Sequence, residues 1–255
     1  MRLCTLASGS KGNAIWIEAA DTAILLDSGL SGKDLKRRMA AAGLDPARLK
    51  AILVSHEHRD HVAGVGVAAR MWNIPVYLNP STLEATNGIL GRFEHRLFST
   101  GEELVVGDLE IHPFSQSHDA ADPAGFTFRH KDAKIGVATD LGAATALVRE
   151  HLAGCRALVL EANHDPDMLM NGPYPWHLKT RVRGRKGHLS NHDSAELLVQ
   201  IADRDLRQVV LAHLSEVNNL PELALECIGS ALTPSSRGFG LIAACQRTPG
   251  PVFEL

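Results

Sequence analysis

Residues 55–65 read SHEHRDHVAGV, and four of them (His56, His58, Asp60 and His61) are side chains that bind metals. With 13 histidines in 255 residues, random placement would produce HxHxDH in about one chain in 500 of this composition. Neutral imidazole and carboxylate suit zinc, and manganese or iron accept them too. Such a group fills one metal site, or serves two ions if ligands arrive from elsewhere. The bland reading is a solvated polar turn. Elsewhere His118, Asp140 and His213 each follow a strongly apolar run, as His56 does. A polar residue just past a buried strand either meets water at the sheet edge or is aimed at a shared site. Three of them, all His or Asp, beside HxHxDH point to the shared site.

Those residues need strands to carry them. RLCTL (2–6), NAIWIEA (13–19) and TAILLD (22–27) read as strands separated by the turn-forming ASGSKG and AD. SGKDLKRRMAAAGL has helical composition, with Ser31 placed to cap it and Gly43 to stop it. KAILVS is a buried strand that delivers His56, VAGVGVAARMWN has helical spacing, IPVYLN is a strand and LEATNGIL a short helix. GDLEIHPFSQSHD and GFTFRHKDAKIGVATD read as strands of one hairpin or meander. The second half repeats the plan. AATALVREHL is a helix, RALVLEANHD a strand, and NHDSAELLVQIAD a helix capped by Asn191 or Asp193. RQVVLAHLSE is a strand, PELALECIGSAL a helix with Pro221 in its first turn, and GFGLIAAC a last strand.

No linker, low-complexity tract or short repeat divides the chain. Strands run before helices in each half. This predicts an α/β (α+β) protein, one domain over residues 1–255, with two sheets face to face and helices outside: a four-layer αββα sandwich. Polar strand ends then meet at one rim. Hydrophobic residues make up 45% and the formal net charge is −3. The chain can bury a sizeable core but has no global field to recruit nucleic acid, so any basic surface must be local. Cys4, Cys155, Cys227 and Cys245 form no CxxC and read as buried thiols in a reducing compartment. No run approaches the ~20 apolar residues of a membrane span, and MRLCTLASGSKG holds no signal-peptide stretch. A soluble cytoplasmic protein is expected, with no membrane partner.

HxHxDH, then a His, a bridging-type Asp and a last His, resembles the metallo-β-lactamase superfamily. Within it LASGSKGNA, ILLDSGLS, SHEHRDHVAG, EANHD, GHLSN and LAHLSEVNN resemble the YycJ (WalJ) family, relatives of ribonuclease Z. The likeness runs from residue 1 to about 245 and implies the αββα fold more firmly than the strand pattern does. It implies two divalent metal ions, zinc, manganese or iron. His56, His58 and His118 would hold one, Asp60, His61 and His213 the other, and Asp140 would bridge them. Ions ~3.5–4 Å apart trap a hydroxide at neutral pH and neutralise a phosphodiester on its way to a pentacoordinate transition state. Asp60 would also orient that hydroxide.

The ribonuclease Z likeness implies a further pair, Glu161 and His188. A carboxylate beside an imidazole raises its pKa and fixes its tautomer, so His188 would hold a phosphate oxygen or protonate the leaving alkoxide. Without that role Glu161 is a sheet-edge carboxylate and His188 a loop histidine capping the next helix. Asn163 stands where ribonuclease Z has Thr, and His164 and Asp165 add polar groups beside the relay. His164 is either a support behind the ligands or a surface residue. Asp27 matches an acidic position that the superfamily sets under the metal loop, hydrogen-bonding a ligand or the loop backbone.

Two features bear on substrate. SGSKGN is either a phosphate-meeting turn of backbone N–H groups or a plain hairpin turn. HLKTRVRGRK (177–186) carries Lys179, Arg181, Arg183, Arg185 and Lys186, just before His188. It is either a solvated face or a surface that draws in a nucleic-acid backbone. Tyr174 and Trp176 either stack a base or pack on the core. His95, His112, His130, His151, His177 and His192 read as structural or surface. The leading function is a metal-dependent nuclease, with 5′-to-3′ DNA exonuclease activity implied by the family. The alternatives are hydrolysis of a small phosphodiester or thioester, or a metal-bound scaffold without chemistry. The complete ligand set argues against the last.

Overall fold

Near-continuous burial along the strands sets the architecture. The structure, a computed structural model, describes residues 1–86, 88–232 and 238–255. The first strands are β1 (Arg2–Ala7), β2 (Ala14–Ala19), β3 (Thr22–Leu26), β4 (Leu49–Leu53), β5 (Val76–Leu78) and β6 (His95–Leu97). The later ones are β7 (Leu104–Val106), β8 (Leu109–Ser115), β9 (Ala124–His130), β10 (Ala133–Ala138), β11 (Ala157–Glu161), β12 (Gln208–Ala212), β13 (Gly240–Ala243) and β14 (Phe253–Glu254). Every residue of β2, β3, β11 and β12 is buried, and strands covered on both faces require layers on both sides.

The layers are helical. In chain order they are α1 (Gly32–Ala41), α2 (Arg59–Val62), α3 (Val65–Trp72), α4 (Pro80–Ala85), α5 (Ala146–Leu152), α6 (Pro166–Asn171), α7 (Trp176–Val182), α8 (Asn191–Ile201) and α9 (Pro221–Ala231). Among the described residues the strands form two sheets, ordered β14-β1-β2-β3-β4-β5-β6 and β13-β12-β11-β10-β9-β8-β7. Each sheet starts as an antiparallel meander and continues in parallel strands. In the first, β1, β2 and β3 are antiparallel and β3 to β6 parallel. In the second, β7 to β10 are antiparallel and β10 to β13 parallel. Parallel neighbours need crossovers, which the helices supply. The C-terminal ends of the parallel strands therefore open at one rim, where α/β sheets carry their sites.

Three apolar clusters mark the four layers. Leu3, Ile17, Ile24 and Leu53 of the first sheet meet Ile111, Phe126, Phe128, Ile135 and Val159 of the second. Trp16, Leu25 and Ile52 face Leu35 and Met39 of α1 and Val65 and Ala68 of α3. Leu160, Val209 and Leu211 face Val148 and Leu152 of α5, Leu197 and Leu198 of α8, and Ile228 of α9. This is the αββα sandwich expected from the strand pattern.

Details depart from expectation for local reasons. Ser190, not Asn191 or Asp193, caps α8, and Asp193 answers it from three residues on as a capping box. The short helix expected at 83–90 is α4, which starts at Pro80 because Asn79 caps it and proline suits the first turn. Residue 87 of that stretch lies outside the described residues. Helices α6 and α7 and the short strands β6 and β14 had no strong periodic signal. Ser31 does cap α1, and Gly43, at φ +65°, follows its end. Cys4 and Cys155 are buried, but Cys227 is half-buried and Cys245 exposed. No helix among the described residues is long and apolar enough to cross a membrane.

Candidate metal centre

The rim collects the polar residues that end the strands. His56 follows β4, and His58, Asp60 and His61 sit at the start of and within α2, which begins at Arg59. His118 follows β8, Asp140 follows β10, Glu161 closes β11 and His213 follows β12. Three of the turning residues, Asp27 (φ +60°), Asp140 (φ +57°) and His213 (φ +55°), have left-handed backbone. Non-glycine residues there carry strain that persists where the surroundings over-determine it, commonly at functional sites. The backbone of His213 is tied down by its N–H, which donates to Ser8 Oγ at 2.7 Å.

Ligand atoms converge in overlapping groups. One atom each of His56, His58 and His118 lie within 4.8 Å of one another, as do those of Asp60, His61 and His213, and those of His56, His61 and Asp140. A further group is Asp140, Glu161, His188 and His213. Asp140 lies between the trios. Its Oδ2 is 2.9 Å from His61 Nε2, and its Oδ1 is 3.6 Å from both His118 Nε2 and His213 Nδ1.

The imidazoles are held from behind. Asp27 Oδ2 accepts from His61 Nδ1 at 2.7 Å and from Ser55 Oγ at 2.8 Å, and its Oδ1 accepts from the Ser55 N–H at 2.8 Å. Ser55 Oγ lies 3.0 Å from His56 Nδ1. His118 Nδ1 donates to the Gly187 carbonyl at 3.1 Å. With Nδ1 engaged, Nε2 of His56, His61 and His118 turns into the cluster, the arrangement that fixes a metal-binding tautomer. His56 Nε2 is buried and has no hydrogen-bond partner among the described residues. Buried polar atoms without partners are rare in native proteins. An orphaned imidazole nitrogen among convergent His and Asp atoms fits a divalent cation.

Electrostatics point the same way. Burial would depress the His61 imidazole, but Asp140 and Asp27 raise its pKa well above the usual value. Burial likewise opposes a charged His213, yet Asp140, with hydrogen bonds to Asp60 and Glu161, lifts it to about 10. Burial and the adjacent His61 charge push His56 well below normal. Burial should raise the Asp140 carboxyl, but His213 and His61 hold it far below its normal range. These carboxylates gather positive charge, which a metal ion would also supply.

Glu161 and His188 sit beside the cluster. Glu161 Oε1 lies 2.8 Å from His188 Nδ1 and 3.2 Å from His213 Nδ1. Its Oε2 accepts from the N–H groups of Leu141 at 2.7 Å and Leu189 at 3.2 Å. Burial would raise the Glu161 carboxyl, but the His188 charge and the imidazole hydrogen bonds bring it to about 2. Burial opposes charge on His188 too, and Glu161 outweighs it, so the imidazole is raised. Asn163 donates to the His213 carbonyl at 2.8 Å. His164 is buried, with Nδ1 unpartnered among the described residues, and no hydrogen bond among those residues ties its ring to the cluster. It is not a surface residue.

The basic stretch lies on α7 and the loop after it. Lys179 donates to the Met170 carbonyl at 2.7 Å, and Arg181 pairs with Asp119 at 2.6 Å. Arg183 lies over the Trp176 ring at 5.9 Å. Arg185 and Lys186 make no side-chain hydrogen bond or ion pair among the described residues. Asn13 went unread in the sequence. It closes the SGSKGN turn, and its Nδ2 lies 3.2 Å from Asp60 Oδ2 and 3.0 Å from His61 Nε2. Ser55 and Asp119 were also missed. Adjacency to His56 and His118 was their only signal.

Residues 22–214 match the model of the β-lactamase superfamily domain. The chain is 36% identical to exodeoxyribonuclease YycJ of Bacillus anthracis, covering all of this chain and 94% of that protein. It is 35% identical to exodeoxyribonuclease WalJ of Streptococcus pneumoniae, over 92% and 90% of the two chains. The fold is shared with the metallo-β-lactamase fold protein YhfI of Bacillus subtilis, at TM-score 0.74 and 13% identity over 99% of each chain. With that identity spanning the whole chain, and a His/Asp cluster that fits a metal at the sheet rim, the protein is a hydrolase of the metallo-β-lactamase superfamily and belongs to its YycJ/WalJ family.

Proposed function

We propose that this chain is a 5′-to-3′ DNA exonuclease that uses two divalent metal ions, zinc, manganese or iron, and works as one domain in the cytoplasm. The observation that carries the reading is the Glu161–His188 pair, 2.8 Å apart, beside the His/Asp cluster. Exodeoxyribonucleases with full-length similarity support the polymer substrate. His56, His58 and His118 would hold one ion, Asp60, His61 and His213 the other, with Asp140 shared. Such ions supply charge neutralisation for a phosphodiester and a water acidic enough to ionise near neutrality.

The chain's own residues supply the rest. Asp60 orients the attacking water by accepting its hydrogen bond. His188, with Nδ1 committed to Glu161, presents Nε2 as its remaining donor, and Glu161 stabilises the charged ring. From there it protonates the leaving oxygen or holds a phosphate oxygen. Asp27 steadies His61. Arg181, which edges the space over the cluster, meets the DNA backbone together with Arg183, Arg185 and Lys186, and Lys179, whose ammonium also donates to the Met170 carbonyl, joins them at the far end of the stretch.

The test compares end-labelled duplex DNA, single-stranded DNA, RNA and bis-nitrophenyl phosphate with manganese, for wild type and Asp140→Ala. Stepwise loss from the 5′ end of DNA, abolished in Asp140→Ala, is expected. Cleavage of the small ester alone would make the protein a small-molecule phosphodiesterase and the basic stretch a solvated face.

A further inference from the structure

We infer that the cavity under α7 is a nucleoside site, which holds the sugar and base carrying the leaving oxygen. This rests on the nuclease reading. His188 borders three adjoining spaces: one over the His/Asp cluster, one of about 280 Å³ under α7, and one of about 330 Å³ toward Arg149. A proton donor must lie within hydrogen-bond reach of the atom it serves. The nucleoside bearing that atom must therefore occupy a space that His188 borders.

The two flanking spaces differ in chemistry. The one toward Arg149 is also edged by Arg183, Arg185, Asp193 and Glu196, charged groups that do not favour a base. The one under α7 is edged by the Tyr174 ring and by Leu178 and Val182, with Ser10, Asn163, Ser215 and the Asp119–Arg181 ion pair supplying its polar side. Leu178 and Val182 are four residues apart, so they share a face of α7. A ring on which a base can stack, an apolar edge beside it and polar groups that can hold a sugar are what a nucleoside requires. Ser10, Arg181, His188 and His213 line both this cavity and the space over the cluster, so the two adjoin. Trp176, the other aromatic candidate, borders neither space; it is 64% exposed and packs under Arg183. About 280 Å³ is near the lower bound for small-ligand sites, room for one nucleoside and not for a base pair. The terminal base must enter unpaired, and one unit is measured per cut.

The test uses single-stranded DNA with a tetrahydrofuran abasic unit either at the leaving nucleoside or just across the scissile phosphate. Wild type should lose about ten- to a hundredfold in kcat/KM for the first and little for the second, the span of one lost base–aromatic stack. Tyr174→Ala should lose as much on intact DNA and little more on the abasic strand, while Tyr174→Phe stays near wild type. A binding readout removes dependence on turnover. 2-Aminopurine at the leaving position should be quenched on binding to the Asp140→Ala chain and bright with Asp140→Ala/Tyr174→Ala. Equal rates on intact and abasic DNA, or quenching that ignores Tyr174, would overturn the nucleoside site alone. Cleavage of bis-nitrophenyl phosphate with no DNA degraded would instead remove the nuclease reading, and the site with it.

Discussion

Asp27 illustrates how single residues set the centre's chemistry. Its carboxylate holds both His61 Nδ1 and Ser55, so it fixes which nitrogen of His61 faces the cluster. Asp27→Asn keeps the shape and tolerates the left-handed backbone but removes the charge. Metal affinity should fall about 10–100-fold, the usual loss when a ligand's supporting carboxylate is changed. Competition with a chelating dye would measure this, and unchanged affinity would refute the role. His188→Ala should keep the metals and lower the rate on DNA by about 10²–10⁴-fold, the usual share of a general acid. A nitrophenyl ester, whose leaving group needs no proton, should suffer much less. Equal losses on both would end the proton-donor assignment. The cluster residues were legible in the sequence because HxHxDH is a local pattern and His118, Asp140 and His213 each end an apolar run. Asn13 was not, because its neighbours Asp60 and His61 lie 47 and 48 residues away.

Helices and loops act by where they carry such residues, and α7 with its following turn shows the constraint. The His188 N–H donates to the Val182 carbonyl at 2.8 Å, and the Gly187 N–H to the Gly184 carbonyl at 2.7 Å. Gly187 passes so close to α7 that a Cβ there would lie 2.1 Å from the Val182 oxygen and 2.2 Å from that of Arg181. Both are backbone atoms, so the turn itself must move. It would take His188 with it, as well as the carbonyl that holds His118. Gly187→Ala should cost about 1–3 kcal/mol of stability and lower activity more than tenfold while leaving metal content nearly intact. Thermal unfolding and metal analysis of the same sample test this; a wild-type rate would show that the turn does not position His188. The sequence did not reveal this element. Residues 176–182 are mostly polar and make only two turns, with Leu178 and Val182 as their inward apolar pair, too little for a period to register. The long strands were legible because both faces are buried and their apolar runs are nearly unbroken. The two expected α8 caps, Asn191 and Asp193, lie one and three residues past the true one because Ser190, Asn191 and Asp193 are all capping types, and only the reciprocal bonds of Ser190 and Asp193 decide between them.

Across the whole molecule, the candidate ligands come from both sheets. His56, His58, Asp60 and His61 follow the first, while His118, Asp140 and His213 follow the second. Ions held by these residues would join the two halves of the sandwich, so metal binding should be coupled to global stability. Free metal at about 100 times its Kd stabilises by about 2.7 kcal/mol, which for a chain of this size raises Tm by about 5–10 °C. Binding should also release protons. His61 is raised well above its normal pKa and His213 to about 10, so without metal both carry protons near neutrality. A metal ligand must be neutral imidazole, and an ion held by Asp60, His61 and His213 therefore displaces protons as it enters. The sign follows directly: lowering the pH adds competing protons and weakens binding, and raising it through neutrality strengthens binding. Calorimetric titration at pH 7.5 in two buffers of different ionisation heat should give heats that differ by the protons released. Asp140→Ala should shrink both the Tm gain and the release, because Asp140 touches each trio and helps lift His213. Buffer-independent heats, or a Tm that zinc and manganese leave unchanged, would show that the cluster does not bind metal as a unit spanning the two sheets.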